Sequence, residues 1–216
     1  MRTKILLTAA AALVAGIASS NAQVYSANVV GYANVPLAAA GGYTLLSNPF
    51  DDGNGNQSSN LLSTLPNKSQ VITWNGTGYN TAIGKSAGAW GGSVALPPGT
   101  GFFVKTPAGT PLTNTFVGSV IVLVGASGTN AVATGYNLVG SEIPYAADAT
   151  TDTNINLGAT LANKSQMIDW NSGAQDFDTA VGKSAGSWGS SFPISVGEGF
   201  FVKTPSAANW VETLNP

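Results

Sequence analysis

Apolar residues fall along this chain in short runs of period two, broken by Gly, Asn, Ser and Thr. In Val71-Ile72-Thr73-Trp74-Asn75, Ile72 and Trp74 share one side of an extended segment and Thr73 takes the other; Ile168, Trp170 and Asp169 repeat the arrangement. In Gly101-Phe102-Phe103-Val104-Lys105, Phe102 and Val104 share one side, Phe103 and Lys105 the other. Alternation of this kind belongs to strands with two unlike faces. It predicts strands over 29–35, 43–46, 71–75, 79–83, 89–93 and 101–105, and further on over 116–124 and 136–139. Turn pairs such as Asn75-Gly76 separate them. Helical spacing is confined to Leu61, Leu62 and Leu65, after a capping Ser58-Ser59, and less regularly to Ile155, Leu157 and Leu161. Trp74 and Trp170 are expected to be core residues.

The same pattern occurs twice. Gly42-Tyr43-Thr44-Leu45-Leu46 returns as Gly135-Tyr136-Asn137-Leu138-Val139, and Asn67 to Asn75 returns as Asn163 to Asn171. Thr81 to Gly91 returns as Thr179 to Gly189, and Gly101 to Pro107 as Gly199 to Pro205. The offset grows from 93 to 96 to 98, which puts small insertions between the matched segments, where loops belong. Short, regularly spaced strands with 27 Gly and 11 Pro predict an all-β chain of two tandem, homologous β-sandwich or barrel-like modules, each with at most one short helix. Module one is expected over 23–113 and module two over 114–216, with Phe116 to Val124 opening the second. Asn209-Trp210-Val211 echoes Asn114-Thr115-Phe116-Val117 and is expected to close module two against an open edge.

The N-terminus changes where the protein is expected to be. Met1 to Lys4 is basic, Ile5 to Ile17 is apolar without a charge, and the small residues before Gln23 suit cleavage after Ala22. Residues 1–22 therefore read as an export signal, and the apolar stretch is shorter than the roughly 20 residues a membrane-spanning helix needs. No later run is long enough to span, and the expected destination is the cell envelope or the medium. With Arg2 and Lys4 removed, six lysines face ten acids, a net charge of −4 without an arginine. Such a chain is a poor nucleic-acid binder, because counterion release needs clustered cations. Charged residues are only 8% of the whole. Weak self-repulsion suits packing against neighbours, so other envelope proteins or cell-surface or extracellular polysaccharide are the expected partners.

Val24-Tyr25-Ser26-Ala27-Asn28-Val29-Val30-Gly31-Tyr32 resembles the start of the mature region in uncharacterised secreted proteins of Verrucomicrobia-type bacteria. The motifs Gly-Tyr-x-Leu-Leu-x-Asn-Pro at Gly42 to Pro49 and Pro-Gly-x-Gly-Phe-Phe-Val at Pro98 to Val104 are similar to β modules of exported Bacteroidetes-type proteins. The resemblance implies export and β structure, and no particular activity.

Candidate chemistry is thin. Without Cys or His there is no thiol nucleophile, no imidazole base and no His or Cys metal site. Gly84-Lys85-Ser86 and Gly182-Lys183-Ser184 lack the earlier Gly of a phosphate loop, since Tyr79 and Phe177 stand there. No catalytic, metal or cofactor site is assigned. Asp52-Gly53-Asn54-Gly55-Asn56 has alternating oxygen ligands but not the Gly and Glu of an EF-hand loop. The acids do not recur: Asp169, Asp178 and Glu198 match Thr73, Asn80 and Thr100. The lysines do recur, in three matched pairs that read as solvated strand ends with stems over apolar surface. Trp90 and Trp188, each among Gly, Ala and Ser beside Lys85 or Lys183, are the candidate ligand-binding residues, with packing onto their own modules as the competing role. The expectation is a non-enzymatic exported protein with a structural, adhesive or display role, and as the alternative a carbohydrate-binding protein that uses Trp90 and Trp188.

Overall fold

A computed structural model describes residues 29–38, 41–109 and 111–215; the expected export signal, residues 1–22, lies outside them. The first copy runs β1 (Val30–Pro36), β2 (Tyr43–Ser47), α1 (Ser58–Leu61), β3 (Gln70–Ile72), β4 (Ile83–Ser86), β5 (Ala89–Trp90), β6 (Gly101–Lys105) and β7 (Thr113–Ser119). The second runs β8 (Ser127–Val132), β9 (Gly135–Gly140), β10 (Ala147–Asp148), α2 (Leu157–Thr160), β11 (Gln166–Ile168), β12 (Trp170–Asn171) and β13 (Asp176–Phe177). It continues through β14 (Val181–Ser184), β15 (Ser187–Trp188), β16 (Pro193–Ile194), β17 (Gly199–Thr204) and β18 (Ala208–Thr213).

The described residues are all-β apart from two four-residue helices, and their sheets stay open rather than closing into barrels. Each copy builds the same two pieces. One is a five-stranded sheet, ordered β2-β6-β3-β4-β5 in the first copy and β9-β17-β11-β14-β15 in the second. The other is an antiparallel ribbon of the first and last strands, β1 with β7 and β8 with β18. The expected closing role of Asn209 to Val211 is what β18 performs.

The boundary is where sequence reasoning missed. β7 pairs along its whole length with β1, Val30 opposite Ser119 through Pro36 opposite Thr113, and buries Phe116 among Phe102, Leu46 and Leu62. Phe116 therefore closes the first copy, and a cut at 113/114 would sever its last strand. The strand that opens the second copy is β8, whose polar Ser127-Gly128-Thr129-Asn130 gives no alternation signal. Ser58 misses its expected role too. Gln57 stands at the N-cap without a side-chain capping bond, while Ser58 Oγ accepts from Val94 N–H at 3.1 Å.

Each sheet has two buried faces. Val71, Phe102 and Val104 point into the first copy's core; Met167, Phe200 and Val202 do the same in the second. The opposite faces meet each other, and Leu45 and Phe103 pack on Leu138 and Phe201 to form a third apolar cluster between the copies. Backbone bonds cross this seam symmetrically, Ser47 N–H to Gly197 O at 2.9 Å and Gly140 N–H to Gly99 O at 3.0 Å. The approach needs glycine at β17, where a Cβ on Gly199 would lie 2.5 Å from Leu46 O. Ile72 and Trp74 do share a face, as the alternation requires, but it is the seam face. Both tryptophans are half-buried there, a departure from the expected core role. No helix among the described residues is long and apolar enough to cross a membrane.

Candidate functional site

The four residues singled out by sequence fall into two matched internal clusters. The β4–β5 turn is tight, with Ala87 at φ 49 and Gly88 at φ 83, and it sets Lys85 opposite Trp90 in the ladder. The Lys85 stem is buried and its Nζ donates to Ser63 O at 2.6 Å and Leu65 O at 2.7 Å. Lys183 Nζ likewise donates to Gly158 O and Leu161 O, both at 2.7 Å. These carbonyls lie in or just beyond the short helices, where chain ends leave acceptors unpaired and a cation is welcome. Trp90 and Trp188 pack half-buried onto their own cores, with the matching ammonium 5.9 Å and 5.8 Å from the ring centroid. Trp188 Nε1 donates to Gly158 O at 3.1 Å. Lys85 and Lys183 thus face inward, which corrects both the solvated strand-end reading and the ligand-binding one.

The Asp-rich loops also turn their oxygens on themselves. Asp52 Oδ1 accepts from the amides of Asn54 and Asn56, both at 2.8 Å, and Asp51 Oδ1 from Gly53 N–H at 3.0 Å. Burial alone would raise the Asp148 carboxyl. Bonds from Thr150, Ser191 and the Phe192 amide outweigh that and hold it near 2. Such bonding makes an Asx-type turn.

Along the seam the structure assembles what the sequence left scattered. A hairpin in each copy, residues 73–80 and 169–178, leans over the other copy's sheet. Trp74 stands edge-on to Phe201 at 5.3 Å between ring centroids, and Trp170 to Phe103 at 5.2 Å. The indoles donate across the seam, Trp74 Nε1 to Tyr136 O at 3.0 Å and Trp170 Nε1 to Tyr43 O at 2.9 Å. Tyr79 and Phe177 complete the set over both Phe103 and Phe201, at 5.6 to 6.4 Å. Eight aromatics, four from each copy, thereby line a trough with approximate twofold symmetry. All the contacts are edge-to-face, the geometry aromatic quadrupoles favour.

The trough holds two cavities. One, of about 380 Å³, is lined by Tyr43, Ile72, Tyr79, Asn80, Phe103, Trp170 and Phe177. The other, of about 330 Å³, is lined by Trp74, Tyr79, Tyr136, Ile168, Phe177 and Phe201. Tyr79 and Phe177 wall both, and remain 50% and 39% exposed, with Tyr136 at 40%. The Lys105 ammonium lies 5.1 Å over the Tyr43 ring and that of Lys203 4.9 Å over Tyr136, so each end of the trough carries a cation. The symmetry is imperfect. The second hairpin is two residues longer, and its Gln175 clamps Tyr43, accepting from its N–H at 2.6 Å and donating to its O at 3.0 Å.

Alternation marked Trp74, Trp170 and Phe103 as side chains that share a strand face with other apolar groups. Nothing in the pattern marked Tyr79, Tyr136 or Phe177, and the one available signal was their recurrence at matched positions, 79 with 177 and 43 with 136. Comparison with protein-family models, with curated proteins and with solved structures finds no match.

Proposed function

We propose that this is an exported, non-enzymatic protein with an adhesive or display role, and that it holds its target on the aromatic trough at the seam. One observation carries the reading. Tyr79, Tyr136 and Phe177 keep 39–50% of their surface in water although they belong to a cluster that could have buried them. Cavities of about 380 and 330 Å³ fall within the size of small-molecule sites. Flat aromatic walls suit a ligand with apolar faces, such as the rings of an extracellular polysaccharide. Two equivalent subsites on one chain add avidity for a repeating polymer without either being tight. The carbohydrate-binding alternative thus rests on the trough in place of Trp90 and Trp188.

The non-enzymatic part is supported by chemistry. His and Cys are absent. The carboxyls of Asp169 and Glu198 lie within hydrogen-bonding reach of each other, closer than the roughly 5 Å that a glycosidase pair needs.

The test is a double substitution, Tyr79→Ala with Phe177→Ala. Both side chains lie outside the buried cores, half-exposed at the trough, so the melting temperature should fall less than in a core variant while retention on insoluble polysaccharide or on cell-wall fractions is lost. Unchanged retention would remove the trough from the function. A parallel Trp90→Ala and Trp188→Ala variant should lose stability before it loses retention.

A further inference from the structure

Besides the Gln175 clamp, the approximate twofold relation between the copies breaks in the charge of one patch at the seam. Where the first copy has Thr73 and Thr100, the second has Asp169 and Glu198. Both acids lie at the seam, in a cleft of about 310 Å³ that they share with Asn34, Val35, Thr44 and Leu45 of the first copy. Glu198 bridges to Leu46 across the seam, and Thr100 makes the matching bridge to Val139. The cross-seam amide bond of Ser47 therefore sits beside the acid pair, and that of Gly140 beside the threonine.

We propose that Asp169 and Glu198 form a proton-operated latch, which holds its side of the seam closed while the two carboxyls share a proton and loosens that side alone when the proton is lost.

The geometry prepares the pair for sharing. Trp170 N–H donates to Asp169 Oδ1 at 2.6 Å and Ser195 N–H to Glu198 Oε2 at 2.7 Å, so each carboxyl is pinned by one oxygen, and the two carboxyls lie within hydrogen-bonding reach of each other. Two carboxylates in contact cannot both ionise cheaply. Burial first, and then the charge of Asp169, push Glu198 up to about 7, and burial raises Asp169 as well. The hydrogen bonds of Trp170 and Ser195 ease the charge on the pair, but no neighbouring cation among the described residues offsets a second one. Asp178, against which Asp169 packs, adds a further negative charge. The first copy turns Asn34, Val35, Pro36, Thr44 and Leu45 onto the cleft, none of which titrates, and Ser172 and Ser195 are neutral too. Among the described residues that line the cleft there is no cation to offset a second charge.

The direction of the effect follows. A carboxyl raised in the folded state contributes stability that is complete below its ordinary value, 4.5 for Glu198, and is lost as pH rises through about 7. Deprotonation puts two like charges between Leu46 and Trp170, whose indole holds Tyr43 across the seam. The trough beside them relaxes on that side.

Hydrogen exchange at single amides reads this with an internal control, in a background of Glu142→Gln and Glu212→Gln that removes the two carboxyls next to Gly140 and its acceptor Gly99. After correction for the intrinsic pH dependence of exchange, protection of the Ser47 amide should fall about tenfold or more between pH 6 and pH 8, while that of Gly140 holds. In Glu198→Gln, and independently in the double variant Asp169→Thr with Glu198→Thr, which copies the first module's own residues, the Ser47 amide should keep its protection. Equal loss at both amides, no loss at Ser47, or an unchanged fall in the threonine variant would each overturn the latch.

Discussion

Glu212 sits on β18 with no contact with water, and that burial decides its charge. Ser141 Oγ lies 2.6 Å from Glu212 Oε1 and 2.8 Å from Ile143 O. The hydroxyl has one proton for these two acceptors; when it goes to the Ile143 carbonyl, a protonated Glu212 completes the set by donating to Ser141. The Glu142 amide, meanwhile, donates to Glu212 Oε2 at 2.7 Å. Burial, above all, pushes the carboxyl up to about 8. A value raised from 4.5 means that the stability it brings is complete at acid pH and fades as pH climbs through about 8. Glutamine can make the same two bonds, donating with its amide nitrogen and accepting with its oxygen. Glu212→Gln should therefore flatten the fall in melting temperature between pH 5 and pH 8, and at pH 8 exceed the wild type by on the order of 3 kcal/mol. Denaturant titrations at the two pH values check this. A variant less stable than the wild type at both would mean that Glu212 is held ionised. Asp148, held near 2, acts in the opposite direction and matters only as pH falls below its ordinary 3.8.

At the scale of elements, the short helices have no conventional caps, and the buried lysines take their place. α1 and α2 carry no side-chain cap at their N-termini and no basic residue in their last turns. Lys85 and Lys183 reach in from the neighbouring hairpin to satisfy the carbonyls at the far end. Lys85→Met keeps the stem but abandons Ser63 O and Leu65 O, and should cost about 2–3 kcal/mol. Lys68→Met, at an exposed position with φ 72 in either residue, should cost close to nothing. Thermal melts of the two variants side by side separate these outcomes. The sequence showed that all six lysines recur, but recurrence is equally compatible with a solvated face and with an internal cap. What decides is the position of a carbonyl about 20 residues away in the chain, and no local pattern encodes that distance. The strand alternation was more informative. It correctly divided Phe102 from Phe103 and paired Ile72 with Trp74, because period two fixes which side a residue takes. It could not say what covers the second side.

That second side is what makes the two copies one molecule. Leu45, Phe103, Leu138 and Phe201 are buried only because the sheets face each other. Phe103→Ala together with Phe201→Ala should destabilise the chain by about 3–5 kcal/mol per site and expose the indoles of Trp74 and Trp170 to quenching by acrylamide. The corresponding change at Phe102 should leave those indoles protected. Repeat counting from sequence anticipated two modules and could not anticipate this, since matched motifs look the same in beads on a string and in a closed pair. The growth of the offset from 96 to 98 was the one trace, because the two added residues bring Gln175 to Tyr43.

A face that completes itself against a copy of itself is how a homodimer is built. Here both partners are carried on one covalent strand, so their association does not depend on how many molecules are present. A separate dimer shed into a large volume would fall apart on dilution, and its trough would disappear with it. Joined end to end, the halves meet at the same local concentration however thinly the protein is spread, and the aromatic trough survives wherever a single chain arrives.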